Sequence, residues 1–275
     1  MTSDGGATQA GDGSAAAGRR RDTVLITGAS SGIGLELARL FAGDGSDLVL
    51  VARSEDRLRE LADALAAAHG IKAQVLSADL TRPESAGEIA EALTGLGVQV
   101  DVLVNNAGFG GHGQVATLGV RKQLDMIEVN VAALTRLTAM FLPGMLERRH
   151  GAVLNVASTA AFQPGPNQAV YCATKAYVLS FTEALAEETR DTGVRVSCLA
   201  PGATDTQFAA QADMTGTLAF RLGTMAAEPV ARAGHDGLLR GKTLVIPGLR
   251  NRAMTLAVRV SPRGLVARAA ARIQA

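Results

Sequence analysis

Seven short runs of aliphatic and β-branched residues alternate along the chain with longer segments of helical periodicity. The runs are nearly continuous in Val, Ile and Leu, which is typical of parallel strands covered by helices on both faces. The helical segments place apolar residues three and four positions apart, as in Leu58, Leu61 and Leu65. The expected strands are 23–27, 47–52, 73–77, 100–104, 152–157, 194–199 and 243–246, and the expected helices are 34–42, 57–69, 83–93, 124–148 and 170–189. This order predicts an α/β fold, a doubly wound, Rossmann-type parallel sheet of about seven strands in a single domain.

The segments outside this alternation define the domain organisation. Residues 1–21 are rich in Gly, Ala and Ser without apolar periodicity, and we expect a disordered tail there. Residues 22–249 form the predicted domain. Within it, residues 204–229 break the alternation and are expected to form a lid or binding loop, with surface filler as the alternative.

The composition argues against several classes of protein. Of the 275 residues 27 are basic and 26 acidic, and a net charge of +1 gives no reason to expect nucleic acid as a partner. Two cysteines and four scattered histidines fit neither a disulfide framework nor a metal site. No apolar run reaches 18 residues, so we expect no membrane-spanning helix and a cytoplasmic protein.

A glycine-rich turn follows the first expected strand. Glycines there let the backbone turn sharply and approach a phosphate, whose charge sits at the N-terminus of the next helix. The spacing is Gly-x-x-x-Gly-x-Gly. The alternative interpretation is that the glycines only form a tight connection between the strand and the helix. The candidate cofactor-binding residues of this turn are Gly28, Ser30, Ser31, Gly32, Ile33 and Gly34.

Arg53 follows the second expected strand, where an NAD-binding fold usually carries Asp or Glu for the ribose hydroxyls. The planar donor fork of arginine suits a 2′-phosphate instead. The sequence therefore favours NADP(H) over NAD(H). The alternative is an exposed arginine paired with Glu55 or Asp56.

Tyr171 and Lys175 lie four residues apart in an expected helix and so share one face. A neighbouring ammonium lowers the pKa of a phenol and makes it a general acid/base near neutrality. Ser158 follows the expected strand 152–157, and further polar motifs follow other strands, at the edge where parallel sheets bind ligands. Those motifs are Asn105-Asn106-Ala107-Gly108 and Pro201-Gly202.

Together these motifs resemble those of the short-chain dehydrogenase/reductase family, in its shorter branch, from Thr23 to about Gly248. The resemblance implies that Tyr171 exchanges the proton on the substrate oxygen. It implies that Lys175 lowers the pKa of Tyr171 and holds the nicotinamide ribose, and that Ser158 hydrogen-bonds the substrate oxygen.

The resemblance assigns roles to further residues. Asn130 would position a water that links Lys175 to solvent. Asp79, with Leu80, would contact the adenine; its alternative is a helix cap or turn residue. The residues expected on the adenosine side are Asn106, Ala107 and Gly108, and those on the nicotinamide side are Pro201, Gly202, Thr204 and Thr206.

The expected function is NADP(H)-dependent interconversion of a carbonyl and a secondary alcohol, with Tyr171 as general acid/base. Two alternatives stay open: a dinucleotide-binding sensor with little turnover, and an NAD-dependent alcohol dehydrogenase of the same fold. The aliphatic, methionine-containing segment 204–229 favours an apolar small-molecule substrate. A homodimer or homotetramer follows from the resemblance.

The C-terminal residues 250–275 form a basic extension with partly helical periodicity. No acidic residue follows Asp236, whereas seven arginines lie between Arg240 and Arg272. Pro262 and Gly264 interrupt the pattern. We expect helices that pack over the cleft or in an oligomer contact; an anionic membrane surface and disorder are the less favoured alternatives.

Overall fold

The structure, a computed structural model, describes residues 21–208, 212 and 223–273. Its strands are β1 (Thr23–Thr27), β2 (Asp47–Ala52), β3 (Ala73–Ser77), β4 (Val102–Asn105), β5 (Gly151–Val156), β6 (Val194–Leu199), β7 (Thr204–Asp205), β8 (Met225–Ala226) and β9 (Leu244–Val245). Seven of them form one parallel sheet in the order β3-β2-β1-β4-β5-β6-β9, while β7 and β8 pair separately. The predicted doubly wound sheet is confirmed, with strand boundaries within two residues of those expected.

Helices cover both faces of this sheet. They are α1 (Gly32–Gly43), α2 (Glu55–His69), α3 (Ser85–Gly95), α4 (Val120–Ile127), α5 (Leu134–Glu147), α6 (Ala169–Glu188), α7 (Ala227–Leu239), α8 (Leu249–Val260) and α9 (Arg263–Ile273). A π-helical segment, Glu128–Ala133, joins α4 to α5, and a 3₁₀ turn, Thr159–Phe162, follows β5.

Successive residues of each central strand contribute to two different cores. Val24 and Ile26 of β1 pack in the layer that holds α1, α2 and α7. Leu25, between them, packs in the opposite layer with α3, α5 and α6. Since both faces of the strand are covered, its central positions Val24, Leu25 and Ile26 are all apolar, which explains the continuous aliphatic runs.

The helix α7 was not predicted from the sequence. It begins at Ala227, inside the segment expected to be irregular, so that segment ends at Ala226. Its buried positions include Ala231, Gly234 and Gly237, small residues in place of the large aliphatic side chains that mark the predicted helices. They are small because α7 lies close to α1 and the sheet: a Cβ on Gly237 would come within 2.3 Å of a Val245 methyl.

Parts of the predicted domain organisation lie outside the described residues, namely residues 1–20, 209–211, 213–222 and 274–275. Arg21, placed in the tail by the sequence, donates to the carbonyl of Gly70 at 2.6 Å. The C-terminal extension is helical, and its two helices α8 and α9 are separated by Ser261 and Pro262. Proline ends the first helix there because it cannot donate a backbone hydrogen bond.

The helix that runs from Val120 to Glu147 is long and apolar enough to cross a membrane by length and composition alone. In this fold it is a helix of the domain, with Leu137 and Met145 buried in the core against the sheet.

The parallel register aligns the carboxyl ends of the strands. Thr27 pairs with Val51, Asn105 with Asn155, and Val156 with Leu199. The loops that follow β1, β2, β4, β5 and β6 therefore leave the sheet at one edge, which is where the sequence places its polar motifs.

Candidate active site

One large cavity, about 1090 Å³, occupies this edge of the sheet. It spans the point between β1 and β4 where the strand order reverses, the usual ligand site of open parallel sheets. All of the residues predicted for the site line it, except Gly34 and Asn130. They are Gly28, Ser30, Ser31, Gly32, Ile33, Arg53, Asp79, Leu80, Asn106, Ala107, Gly108, Ser158, Tyr171, Lys175, Pro201, Gly202, Thr204 and Thr206.

The glycine turn is held in a conformation that side chains would prevent. Gly28 has φ +67°, in the left-handed region that favours glycine. A Cβ on Gly34 would lie 2.3 Å from the carbonyl oxygen of Gly28. Gly34 therefore does not line the cavity but allows α1 to begin directly against the turn, which brings the start of that helix to the cavity.

Asn106 holds this turn from the neighbouring strand. Its Nδ2 donates to the carbonyls of Thr27 at 2.9 Å and Gly28 at 3.2 Å. The Thr27 hydroxyl in turn accepts from the backbone N–H groups of Asn106 and Ala107, at 3.1 and 3.0 Å. The Asn106 amide thus positions the backbone of the glycine turn, a role that the sequence motif did not reveal.

Arg53 is exposed and lines the cavity beyond the end of β2. Among the described residues it forms no ion pair with Glu55 or Asp56; Glu55 pairs with Arg59 instead. Arg57, one turn into α2, also lines the cavity. Arg57 was not predicted from the sequence. Its position in the first turn of the helix that follows Arg53 could have indicated that it lies near the same end of the cavity.

Arg57 connects two sides of the cavity. Its guanidinium donates to the Ser54 hydroxyl at 2.7 Å and to Gln207 Oε1 at 3.4 Å, in the segment that leads away from β7. Two cationic side chains, Arg53 and Arg57, therefore stand at the end of the cavity beside β2.

The Asp79 carboxylate accepts hydrogen bonds from within its own loop. It accepts from the Thr81 backbone N–H at 3.0 Å and from the Thr81 hydroxyl at 2.9 Å. Burial acts to raise the pKa of Asp79, but these hydrogen bonds and the charges of Arg53 and Arg82 outweigh it, so that the pKa lies below its ordinary value. Asp79 is thus a charged turn residue at the cavity wall.

The proton-transfer candidates converge opposite the glycine turn. Ser158 ends β5 and starts the 3₁₀ turn by accepting from the Ala160 N–H at 3.1 Å. Tyr171, in the first turn of α6, is buried at 6% exposure, and its phenol is hydrogen-bonded to Ser158. The burial raises the pKa of Tyr171, and the Ser158 hydrogen bond lowers it by less. Tyr171 is therefore a neutral phenol near pH 7.

Lys175 is buried one turn further along α6, at 5% exposure. Its ammonium donates to the Val156 carbonyl at 2.8 Å and lies 6.0 Å from the centre of the Tyr171 ring. Burial lowers the pKa of Lys175 to about 8. Burial is the largest influence on the pKa of Tyr171, and the Lys175 ammonium is directed to the Val156 carbonyl. The role expected of Lys175 toward the phenol stays a prediction.

Asn130 lies behind the cavity wall, and its water-positioning role stays a prediction. Its side chain is 1% exposed and does not line the cavity. It exchanges two hydrogen bonds with the backbone of Phe109, at 3.1 and 3.0 Å, and donates to the Thr174 hydroxyl at 3.0 Å. It lies in the π-helical segment, whose widened turn is a common feature of functional sites. Asn130 therefore joins the loop after β4 to α6.

Gly108 brings these parts into contact. A Cβ at this position would lie 2.9 Å from Asn130 Oδ1 and 3.3 Å from Lys175 Nζ. The absence of a side chain lets the loop after β4 pass directly above the ammonium, which leaves the cavity open on that side.

The nicotinamide side predicted from the sequence lies after β6. Pro201 accepts from the Thr159 N–H at 2.8 Å, and the Thr204 hydroxyl donates to the Gly202 carbonyl at 3.0 Å. Phe208 closes this region: its ring centre lies 5.5 Å from that of Tyr171. Phe208 was missed because an aromatic residue in an irregular segment has no periodicity that predicts its contacts.

The C-terminal helices form the remaining wall. The Asn251 side chain occupies the space where a Cβ of Gly202 would lie, 2.6 Å away, so α8 packs directly on the loop after β6. Apolar residues of both helices face the cavity, namely Met254, Val258, Leu265, Val266 and Ala270. The expected packing of this extension over the cleft is thus present within the chain.

These residues fit a nicotinamide dinucleotide. The turn at 28–34 places backbone N–H groups and the hydroxyls of Ser30 and Ser31 at the start of α1, a donor set suited to a pyrophosphate. Arg53 and Arg57 offer cations at one end of the cavity, and Ser158, Tyr171 and Lys175 offer hydroxyl and amine groups at the other.

The fold and the site define an α/β protein with a dinucleotide-type cavity and a Ser–Tyr–Lys constellation. Residues 22–215 match the short-chain dehydrogenase family. A putative ketoacyl reductase of Streptomyces coelicolor is 40% identical over 192 residues, which cover 69% of this chain and 73% of that protein. The chain is a short-chain dehydrogenase/reductase.

Solved structures are similar over most of the chain. A short-chain dehydrogenase from Sphingobium yanoikuyae in complex with NADPH is 35% identical with a TM-score of 0.79, covering 89% of this chain and 94% of that one. A 7β-hydroxysteroid dehydrogenase is 26% identical with a TM-score of 0.82, covering 90% and 96%. An oxidoreductase of carbonyl and alcohol groups is therefore the class to which this protein belongs.

Proposed function

We propose that the protein catalyses the NADP(H)-dependent interconversion of a carbonyl and a secondary alcohol, with Tyr171 as the general acid/base. The observation that carries this proposal is the convergence of Ser158, Tyr171 and Lys175 in the cavity, with the Tyr171 phenol desolvated and neutral. A neutral phenol is a proton donor, so the arrangement suits reduction of a carbonyl.

Each side chain of the site has its own role in the proposed reaction. When bound, the nicotinamide supplies the hydride. Ser158 and Tyr171 donate hydrogen bonds to the carbonyl oxygen, and Tyr171 gives its proton to that oxygen as negative charge develops there. The Lys175 ammonium stabilises the phenolate that remains and holds ribose hydroxyls. Asn130 keeps Phe109 and Thr174 in place around Lys175 through its three hydrogen bonds.

The preference for NADP(H) rests on charge at the end of the cavity beside β2. A 2′-phosphate there would meet Arg53 and Arg57, whereas a 2′-hydroxyl would meet no acceptor at position 53. The NADPH complex of the relative from Sphingobium yanoikuyae supports the same choice. Preference for NAD(H) is the alternative that the binding measurement below distinguishes.

An apolar substrate is proposed from the wall opposite the catalytic residues. Met254, Val258 and Val266 face the cavity from α8 and α9, and Phe208 covers Tyr171. Aliphatic and aromatic linings of this kind favour apolar ligands with few polar groups. The similarity to a hydroxysteroid dehydrogenase agrees with a bulky apolar ketone.

The test is oxidation of NADPH with a panel of aliphatic, cyclic and steroid-like ketones, for the wild type and for Tyr171→Phe. We expect the variant to lose at least a hundredfold in kcat while its calorimetric Kd for NADPH changes little. Tyr177→Phe is the matched control, since Tyr177 is exposed and bonded to Thr135 outside the cavity. NADPH binding without turnover of any ketone would favour the sensor alternative.

An oligomer is proposed through α4 and its neighbours. Val120, Leu124 and Ile127 lie on one face of α4 and are 72%, 56% and 42% exposed, with Met140 and Tyr177 also exposed. An apolar face of this kind is typical of an interface between copies. Light scattering of Leu124→Glu tests it: the wild type is expected as a dimer or tetramer and the variant as a smaller species.

A further inference from the structure

The helix α8 has an inner face that lines the cavity and an outer face that is exposed. On the inner side, Met254 and Val258 line the cavity and Thr255 is 3% exposed. On the outer side, Leu249, Leu256 and Val260 are 81%, 63% and 77% exposed. These three residues are seven and eleven positions apart, so they lie within one narrow stripe along the helix. We call this stripe the outer face of α8.

Arginines border the outer face and find no acidic partner. Arg252 and Arg259, seven residues apart, form a row along one edge of the stripe, and both are exposed. Their guanidinium groups contact the Ile246 carbonyl and the Phe162 ring. In the part of the chain that the structure describes, neither these two nor Arg263, Arg268 or Arg272 forms an ion pair with a carboxylate.

The charge of the chain is divided sharply between its two parts. From residue 237 onwards the sequence holds seven arginines and Lys242 but no Asp or Glu, a charge of +8. Since the whole chain carries +1, the first 236 residues carry −7. The positive charge is thus concentrated on the segment that also exposes the apolar stripe.

This combination distinguishes between possible partners. In a two-fold contact with a second copy the same face meets itself, which would bring Arg252 and Arg259 of both copies together without acidic residues to neutralise them. Nucleic acid would neutralise the arginines, but its phosphates gain nothing from Leu256 and Val260. An anionic lipid surface accommodates both the apolar residues and the arginines. The aliphatic stripe enters the headgroup region, while the arginines contact lipid phosphates.

We propose that the outer face of α8 docks the protein on an anionic membrane surface. The helix lies parallel to that surface, with Leu249, Leu256 and Val260 in the headgroup region. One short helix gives reversible binding, which depends on the lipid charge and weakens with salt. Leu256 and Val260 do not line the cavity, so they can be changed without altering the proposed active site.

The test is co-sedimentation of the full chain with vesicles of phosphatidylcholine alone and of phosphatidylcholine with phosphatidylglycerol. We expect binding only to the second kind, and a severalfold loss when the salt rises from about 0.1 M to about 1 M, because the Debye length shrinks from about 10 Å to about 3 Å. The double variant Leu256→Ser/Val260→Ser is expected to bind at least tenfold more weakly, and Arg259→Gln about fivefold more weakly.

Two control variants change the same residue types elsewhere. Leu96→Ser alters an apolar residue that is 61% exposed after α3, and Arg39→Gln alters an exposed arginine of α1. Both should bind vesicles as the wild type does, and melting temperatures and NADPH binding should be unchanged in all variants. Equal binding to neutral vesicles, or full binding by Leu256→Ser/Val260→Ser, overturns the proposal. So does light scattering that shows this double variant to dissociate an oligomer, because a second copy then covers the face.

Discussion

The Lys175 ammonium donates to the Val156 carbonyl at 2.8 Å, so the main cation of the active site is tied to the end of β5. This bond fixes the ammonium beside the cavity while burial lowers its pKa to about 8. The charge that stabilises a Tyr171 phenolate is therefore present at neutral pH and is lost only slightly above it.

A first prediction concerns the pH dependence of carbonyl reduction. Lys175 is charged below its pKa of about 8 and neutral above it, so kcat/KM should be level near pH 7 and fall as pH rises through about 8. Steady-state kinetics with saturating NADPH measure this. In Lys175→Arg the guanidinium stays charged, so any remaining activity should lack the fall. A wild-type profile that is level to pH 10 would contradict the assignment.

A second prediction concerns the ionisation of Tyr171. Because burial raises the pKa of Tyr171, its phenol should stay protonated at pH 10, where an ordinary tyrosine is half ionised. The phenolate absorbance of the protein at pH 10 without cofactor should therefore be the same in Tyr171→Phe as in the wild type. If the wild type has a phenolate signal near pH 7 that Tyr171→Phe lacks, the pKa of Tyr171 is lowered rather than raised.

A third prediction concerns the glycine turn. Gly34→Ala places a methyl group 2.3 Å from the Gly28 carbonyl oxygen and 2.4 Å from Asn106 Nδ2, both held by the sheet. We expect the free energy of unfolding to fall by about 1–3 kcal/mol and NADPH affinity to fall with it. Urea unfolding and calorimetry measure the two effects.

Gly43→Ala is the matched control for that experiment, since it lies in the same helix with no atom within 4 Å of its Cβ position. It should raise the free energy of unfolding by about 0.5–1 kcal/mol, because alanine loses less backbone freedom on folding. If both variants behave alike, crowding at Gly34 is not the cause.

A fourth prediction concerns Asn130. Removing its amide in Asn130→Ala takes the Asn130 partner from the backbone N–H and C=O of Phe109. The Thr174 hydroxyl loses one bond but still donates to the Tyr171 carbonyl. The free energy of unfolding should fall by about 1–3 kcal/mol. Thr174→Val removes only one of these bonds to Asn130 and should cost less. Unchanged stability in Asn130→Ala together with a large loss of kcat would instead favour the water-positioning role.

A fifth prediction concerns the choice of cofactor. Arg53→Ala should weaken NADPH binding about tenfold or more while leaving NADH binding nearly unchanged, because one charge-assisted contact to a 2′-phosphate is lost. Arg59→Ala is the control, since Arg59 pairs with Glu55 and does not line the cavity. Calorimetric titration of both cofactors checks it, and an unaltered preference in Arg53→Ala would remove the argument for NADP(H).

Local patterns of the sequence were sufficient for the sheet and for the strand-end motifs that line the cavity. Runs such as Val24–Thr27 specify buried parallel strands because every position faces an apolar layer. The motifs after these strands meet at one edge because parallel strands carry their carboxyl ends together. The helix α7 was not predicted because glycines stand at buried positions such as 234 and 237. They allow close packing against Leu199 and Val245, a contact that the sequence alone does not reveal.

The sequence by itself determined the fold class, the glycine turn and the placement of Ser158, Tyr171 and Lys175 on one site, since each depends on spacing along one strand or helix. Only the tertiary structure showed that the amides of Asn106 and Asn130 hydrogen-bond the backbone of Thr27 and Phe109. It also showed that burial raises the pKa of the Tyr171 phenol, because desolvation depends on everything packed around the ring and not on the residues next to it in the chain.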